Sequence, residues 1–404
     1  MKRFDRLWEV DALRGLMLLL MLVTHLPTRL TSPLGQPFGF VSAAEGFVLL
    51  SAFMAGLVYS RLAWRDSIGA MRQAFWRRAL KIYLCQAATL LFLFTFIAAL
   101  GIRIDQPAVK DLMSYYLHDP YAAFVAGLLL VYEPPLLDIL PLYVLFMLAS
   151  PWVLAWAMRR SWRGVMLLSF AIWVLAQFGL GAWVYHATVA LTGLRGPFNE
   201  SGSVATCGWQ CLWVVGLWLG ASRNAPDARP LVFPGWVVAV AVLLALTGLV
   251  WRHAGNQAPF GANESLNLLF DKWLLGPLRL LDLAALAICC IRFGPAWARF
   301  LPRQRWLEAL GAASLPVFCA HLVIVLLVLA LFGANPLVRP WWADGLLLVL
   351  SVVALYGVAW VTLKFEKRPT KPAQSSRTDP EAIEATRQTA AVAAAEPPAN
   401  LPAA

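Results

Sequence analysis

The sequence predicts an all-α polytopic membrane protein of about ten transmembrane helices, and three observations carry that expectation. Of its 404 residues 60% are hydrophobic and only 14% are charged, a balance foreign to soluble domains. Ten apolar runs each reach about 20 residues, the length at which a helix crosses the hydrocarbon of a bilayer. Lys and Arg recur on alternate connections between those runs, the bias that orients membrane helices.

The runs are residues 12–30, 41–62, 78–101, 137–158, 164–185, 204–222, 231–251, 274–292, 312–332 and 343–364. The first follows Lys2, Arg3 and Arg6 and so imitates a signal peptide. Arg14 and His25 interrupt it and no small-residue cleavage site follows, so it reads as an uncleaved first helix. With the N-terminus in the cytosol, the second and third runs meet on the inner side at Arg61, Arg65, Arg72, Arg77, Arg78 and Lys81. Arg159, Arg160 and Arg163 join the fourth to the fifth, Arg223 and Arg229 the sixth to the seventh, and Arg299, Arg303 and Arg305 the eighth to the ninth. Lys364, Lys367, Arg368 and Lys371 close the series, which makes both termini cytoplasmic. The net charge of +11 is then topogenic bias plus contact with anionic membrane lipids, and no nucleic-acid partner is expected.

One membrane-embedded domain, 7–365, precedes a tail, 366–404, of Pro, Ala, Ser, Thr and charge, which cannot bury a core and is expected to be disordered in the cytoplasm. The longest outer connection, 102–136, contains an apolar piece, 121–131, too short to cross, and an interfacial or re-entrant helix is expected there. Two other outer segments, 192–203 and 252–273, are polar and can form a mouth for a hydrophilic partner. The 19 Trp suit interfacial belts, and the six Cys lack metal-ligand spacing, so no metal site is expected.

Chemistry concentrates in the first helix. Arg14 and His25 are eleven positions apart, three turns plus roughly 20°, so they share a face about 16 Å apart along the axis. Ionisable groups in hydrocarbon face a bundle interior or a watery cavity, and Asp11 extends the same stripe. Glu45, one turn into the second run, falls near the level of His25. A carboxylate beside an imidazole makes a competent general base, while a structural pair bracing two helices is the alternative. His321 stands near mid-depth in the ninth run, either as a packing histidine or as a site residue. Arg279 and Asp282, three apart, are expected to form an intramembrane ion pair. Arg77, Arg78 and Lys81 satisfy the positive-inside bias and also stand where an anionic cytosolic ligand would dock. Asp271 and Lys272 read as snorkelling or solvated charges at the outer boundary. No phosphate-cradling glycine loop, His-Glu zinc motif or nucleophile elbow is present.

Taken together these residues resemble the type-three membrane acyltransferase superfamily. Arg14, ten residues, then His25 is similar to its helix-one signature. Glu45 through Ser51 resembles its second-helix motif, with Ala52 where glycine is usual. Arg77-Arg78-Ala79-Leu80-Lys81 resembles its basic motif and His321 its late histidine. The strings Ala43-Ala44-Glu45, Asp138-Ile139-Leu140-Pro141-Leu142-Tyr143, Gly276-Pro277-Leu278-Arg279-Leu280-Leu281 and Ser314-Leu315-Pro316-Val317-Phe318 resemble the OpgC branch.

The resemblance implies ten helices in the bacterial inner membrane and transfer of a succinyl group from cytosolic succinyl-CoA to an osmoregulated periplasmic glucan. No tightly bound cofactor is expected. His25, Glu45 and His321 are the catalytic candidates. Arg14, Arg77, Arg78 and Lys81 are candidates for holding the acyl-CoA, and Arg279, Asp282 and Asp138 for binding substrate. A transporter using the same charged residues as a path for a polar or anionic solute is the rival reading.

Overall fold

A computed structural model describes residues 7–225, 231–255 and 258–366, and among them there are helices and no strands. We number the principal helices α1 (Trp8–His25), α2 (Ala43–Arg65), α3 (Ile68–Ile104), α4 (Pro120–Leu128), α5 (Ile139–Arg159), α6 (Trp162–Gln177), α7 (Leu180–Thr192), α8 (Ser203–Ser222), α9 (Gly235–Ala254), α10 (Pro277–Phe300), α11 (Arg305–Ala312), α12 (Ser314–Phe332) and α13 (Trp341–Glu366). The expected tail lies outside the described residues apart from Glu366, as do Lys2, Arg3, Arg6, Arg229, Lys367, Arg368 and Lys371.

Eight of these helices are long and apolar enough to cross a membrane, and a bent pair supplies a ninth candidate. The remaining expected span, α1, has 18 residues and carries Glu9, Asp11 and Arg14, so it depends on its neighbours rather than on lipid. Local sequence explains the starts. Ser67 accepts from the Ala70 amide at 3.0 Å to open α3, and Ser161 accepts from Arg163 at 2.9 Å to open α6. Ser42 and Glu45 form a reciprocal capping box on α2. The short apolar piece is helical as expected: α4 has nine residues, Asp119 accepts from Ala122, and Ala123 and Ala126 pack against Leu90, Leu93 and Phe94.

The expected continuous span over 164–185 is corrected. It breaks after Gln177 into α6 and α7, bent by 85°. Gly179 adopts φ 93°, a left-handed conformation that ends α6 at little cost only because glycine lacks Cβ. Gln177 Nε2 donates to the Leu274 carbonyl at 2.9 Å and Trp173 Nε1 to that of Leu275 at 3.0 Å, which ties the end of α6 to the turn before α10.

The centre is formed by α1, α2, α5, α8 and α12, where Leu18, Leu22, Val48, Ala52, Val317, Leu322 and Val325 are fully buried. At the α2–α8 crossing Ala52 faces Gly216, and a Cβ on Gly216 would stand 2.5 Å from the Ala52 methyl. The glycine missing from α2 is thus supplied by α8. By contrast only 17% of the spanning windows of α9, α10 and α13 is buried, which leaves these helices facing lipid.

Candidate active site

His25 is the last residue of α1 and half-buried, whereas His321 sits inside α12 with no exposure. Their rings stack at 5.1 Å and 21°, and His25 Nδ1 lies 3.0 Å from His321 Nε2. Phe318, one turn before His321, meets the second imidazole edge-on at 5.4 Å and packs on Phe47 at 6.0 Å. The two histidines expected separately are therefore one hydrogen-bonded unit.

Glu45 does not orient His25, which corrects the expected pairing. Its Oε1 accepts from Arg279 Nε at 2.5 Å, and its Oε2 from the Ser42 amide at 3.1 Å and from the Ser42 hydroxyl. The capping of α2 and the buried Arg279 guanidinium occupy both oxygens. Arg279 also donates to the Phe270 carbonyl at 3.2 Å. The expected Arg279–Asp282 ion pair is accordingly not the contact formed: Asp282 Oδ2 accepts from the Phe40 amide at 2.9 Å, and its carboxylate lies against Gly39 and Gly248. Both residues brace the connection between α1 and α2 against α9 and α10.

Arg14 is held by Asp11 at 3.4 Å, by the Ser314 hydroxyl at the start of α12, and over the Phe47 ring at 5.9 Å. It borders a cavity of about 200 Å³ whose wall includes Phe47, Ser51, Arg78, Tyr143, Ser314 and Phe318. Of the three basic candidates at the start of α3, only Arg78 lines this cavity, while Arg77 and Lys81 lie on the exposed side of the helix. Helical geometry separates them, since 100° per residue turns Arg77 and Lys81 away from the wall that Arg78 and Ile82 share. The imidazole pair is not on the cavity wall; Phe47 and Phe318 stand between.

On the far side from the basic helix ends, Asp138 stands just before the first residue of α5. Burial pushes its carboxyl pKa up and the Lys272 charge opposes that shift. The same Lys272 charge acts on His25, so a residue that reads as a solvated boundary charge belongs to the electrostatics of the site. Glu133 was also invisible as a candidate. It is 4% exposed, its Oε1 has no hydrogen-bond partner, and burial followed by the charge of Asp138 holds its carboxyl well above the usual range. A clamp of Arg29, Arg339 and Asp344 fixes the chain just after His25. Asp344 accepts from the Arg29 amide at 3.1 Å and pairs with Arg339 at 3.4 Å, and Arg339 donates to the Pro27 carbonyl. An acid at the apolar start of the last span was the available signal for Asp344.

A family model described as "OpgC protein" matches residues 6–367. The chain belongs to the OpgC family. That membership points to acyl transfer onto a glucan by a multi-pass membrane protein, and it covers every residue of the site just described. No curated protein and no solved structure matches this OpgC-family chain significantly. Among the described residues no group of three or more His, Cys, Asp or Glu side chains could hold a metal ion.

Proposed function

We propose that this OpgC-family chain is an inner-membrane O-acyltransferase that moves an acyl group, succinyl by family resemblance, from cytosolic acyl-CoA to a hydroxyl of a periplasmic glucan. The observation that carries this reading is the His25–His321 pair set beyond a cavity bordered by Arg14 and Arg78. A transport path would need charges that a solute can visit, yet the buried pair Glu45–Arg279 is engaged on both sides.

The chemistry follows from the ring nitrogens. With the His321 proton on Nδ1, its Nε2 accepts from His25 Nδ1–H. His25 Nε2 then holds a lone pair. It takes the proton of the acceptor hydroxyl as that oxygen attacks the thioester carbon, and a C–O bond forms. When the C–S bond breaks, the imidazolium returns the proton to the departing thiolate, giving acylated glucan and CoA. General-base catalysis of this kind supplies ~10²–10⁴ in rate, with positioning adding the rest. Arg279 is paired with Glu45 and is not placed to stabilise the developing oxyanion. Arg14 and Arg78 neutralise the anionic donor on its way in, and the Phe47–Phe318 contact must part to admit the thioester.

Mass spectrometry of periplasmic glucans from cells with and without this chain tests the proposal. A mass difference of one succinyl unit per modified glucan is expected. Identical glucans in both cells, with solute flux in reconstituted vesicles, would instead favour transport.

A further inference from the structure

A second cavity, of about 470 Å³, opens at the basic helix ends. Arg72 of α3 forms one wall, and Trp152, Ala155, Trp156 and Arg159 of α5, with Arg160 just beyond its end, form the other. It shares both helices with the cavity that Arg78 and Tyr143 line. Along α3, Arg72 precedes Arg78 by ~9 Å of helical rise and stands about 120° around the axis from it, so the two spaces border the same two helices on different faces.

Topogenic bias accounts for arginines at a helix end, but it requires neither a concavity nor a particular partner. Here three guanidinium groups surround an open volume whose wall carries no carboxylate. The Nε of Arg72 is buried without a hydrogen-bond partner, a cost that a bound acceptor would remove. Trp152 and Trp156 are 54% and 49% exposed and offer flat aromatic faces beside those charges. Guanidinium forks match phosphate oxygens, and indole rings stack on planar heterocycles. A ligand that carries phosphates and a planar base together is a nucleotide.

We propose that this cavity holds the nucleotide end of the acyl-CoA donor. Arg72, Arg159 and Arg160 meet its phosphates, and Trp152 and Trp156 meet its base. The inference rests on the acyl-CoA reading of the function, and it moves the phosphate contacts away from Arg77 and Lys81.

Equilibrium binding of CoA to the purified full chain in detergent tests it. Both arginines of R159A/R160A are exposed at a helix end, so the fold is expected to survive. The affinity for CoA should fall about tenfold, the scale of one lost charge-assisted hydrogen bond, and R159K/R160K should recover part of it. The KM for acyl-CoA should rise by a similar factor with kcat held, and dephospho-CoA should distinguish the variant from the native chain less than CoA does. Unchanged CoA affinity in R159A/R160A, or a larger loss in R77A/K81A, overturns the assignment and leaves the acyltransferase reading standing. Unchanged affinity with loss of copurifying phosphatidylglycerol makes the cavity a lipid site instead. A native chain that binds no CoA overturns the donor reading and this assignment with it.

Discussion

The imidazole pair and the Glu45–Arg279 pair both bury polar groups between helices, but they use their valences differently. Glu45 spends one oxygen on Arg279 and the other on Ser42, and Arg279 extends to the Phe270 carbonyl. The histidine pair engages only Nδ1 of His25 and leaves that ring's other nitrogen outside the contact. A closed ion pair braces helices, because separating its charges in a low dielectric is costly. An imidazole with a nitrogen to spare can accept and return a proton. On the proposed reaction the site thus divides into a reactive half and a supporting half, although both contain residues of the same family motifs.

That division can be broken most directly at His25. His25→Ala is expected to lower acyl transfer by ~10²–10⁴-fold while thermal unfolding in detergent stays near the native value. Near-native glucan acylation in this variant would move the chemistry elsewhere. At Glu45 the loss should fall on stability instead. Glu45→Gln leaves the Arg279 guanidinium buried without its counter-charge, a change that typically costs about 3–5 kcal/mol. The double variant Glu45→Leu/Arg279→Met should recover most of the thermal stability, since well-packed apolar residues replace such pairs with little loss. A Glu45→Gln chain that unfolds normally but fails to acylate would place Glu45 with the reactive half.

His321 sharpens the comparison, since in the proposed reaction it acts through His25. His321→Asn should keep the fold and lower kcat roughly tenfold, the scale of one lost orienting hydrogen bond, with KM for the donor little changed. It should also shift the pH profile of kcat, an effect that loss of packing alone would not give.

The smallest effect is expected at Glu133. Its carboxyl pKa in the folded chain is raised well above 4.5, so the buried neutral form favours folding fully below about pH 4.5. That contribution is lost as pH rises towards the folded value. Glu133→Gln stays neutral throughout, and its thermal midpoint should therefore decline less between acid and neutral pH than the native one. Equal slopes would show that the carboxyl does not remain buried.

Much of this was legible in the chain itself. Apolar length located the spans, and the common face of Arg14 and His25 follows from the helical period alone, whatever surrounds α1. Residues that resemble family motifs also marked His321, Ser314 and Arg78 as worth attention. Partnership was not legible. Glu45 stands at the depth expected of a partner for His25, yet its oxygens go to Ser42 three residues away and to Arg279, 234 residues away. Asp282 is three positions from Arg279 on one helix face but turns to the Phe40 amide. For Asp282, proximity along a helix offered one partner and a neighbouring element supplied the one taken, whereas for Glu45 a shared depth pointed to His25 and another helix supplied Arg279. Glu133 was obscured for a related reason, because a charge in a connecting segment reads as solvated until folding buries it.

The sequence by itself determined the helical membrane architecture and the polar stripe on α1, since hydrophobic length and a 3.6-residue period are properties of one segment. Only the tertiary structure decided that His25 meets His321, that Arg279 meets Glu45, and that α6 turns aside at Gly179. Those outcomes depend on which helices become neighbours, and a hydrogen bond between residues 296 positions apart has no local signature.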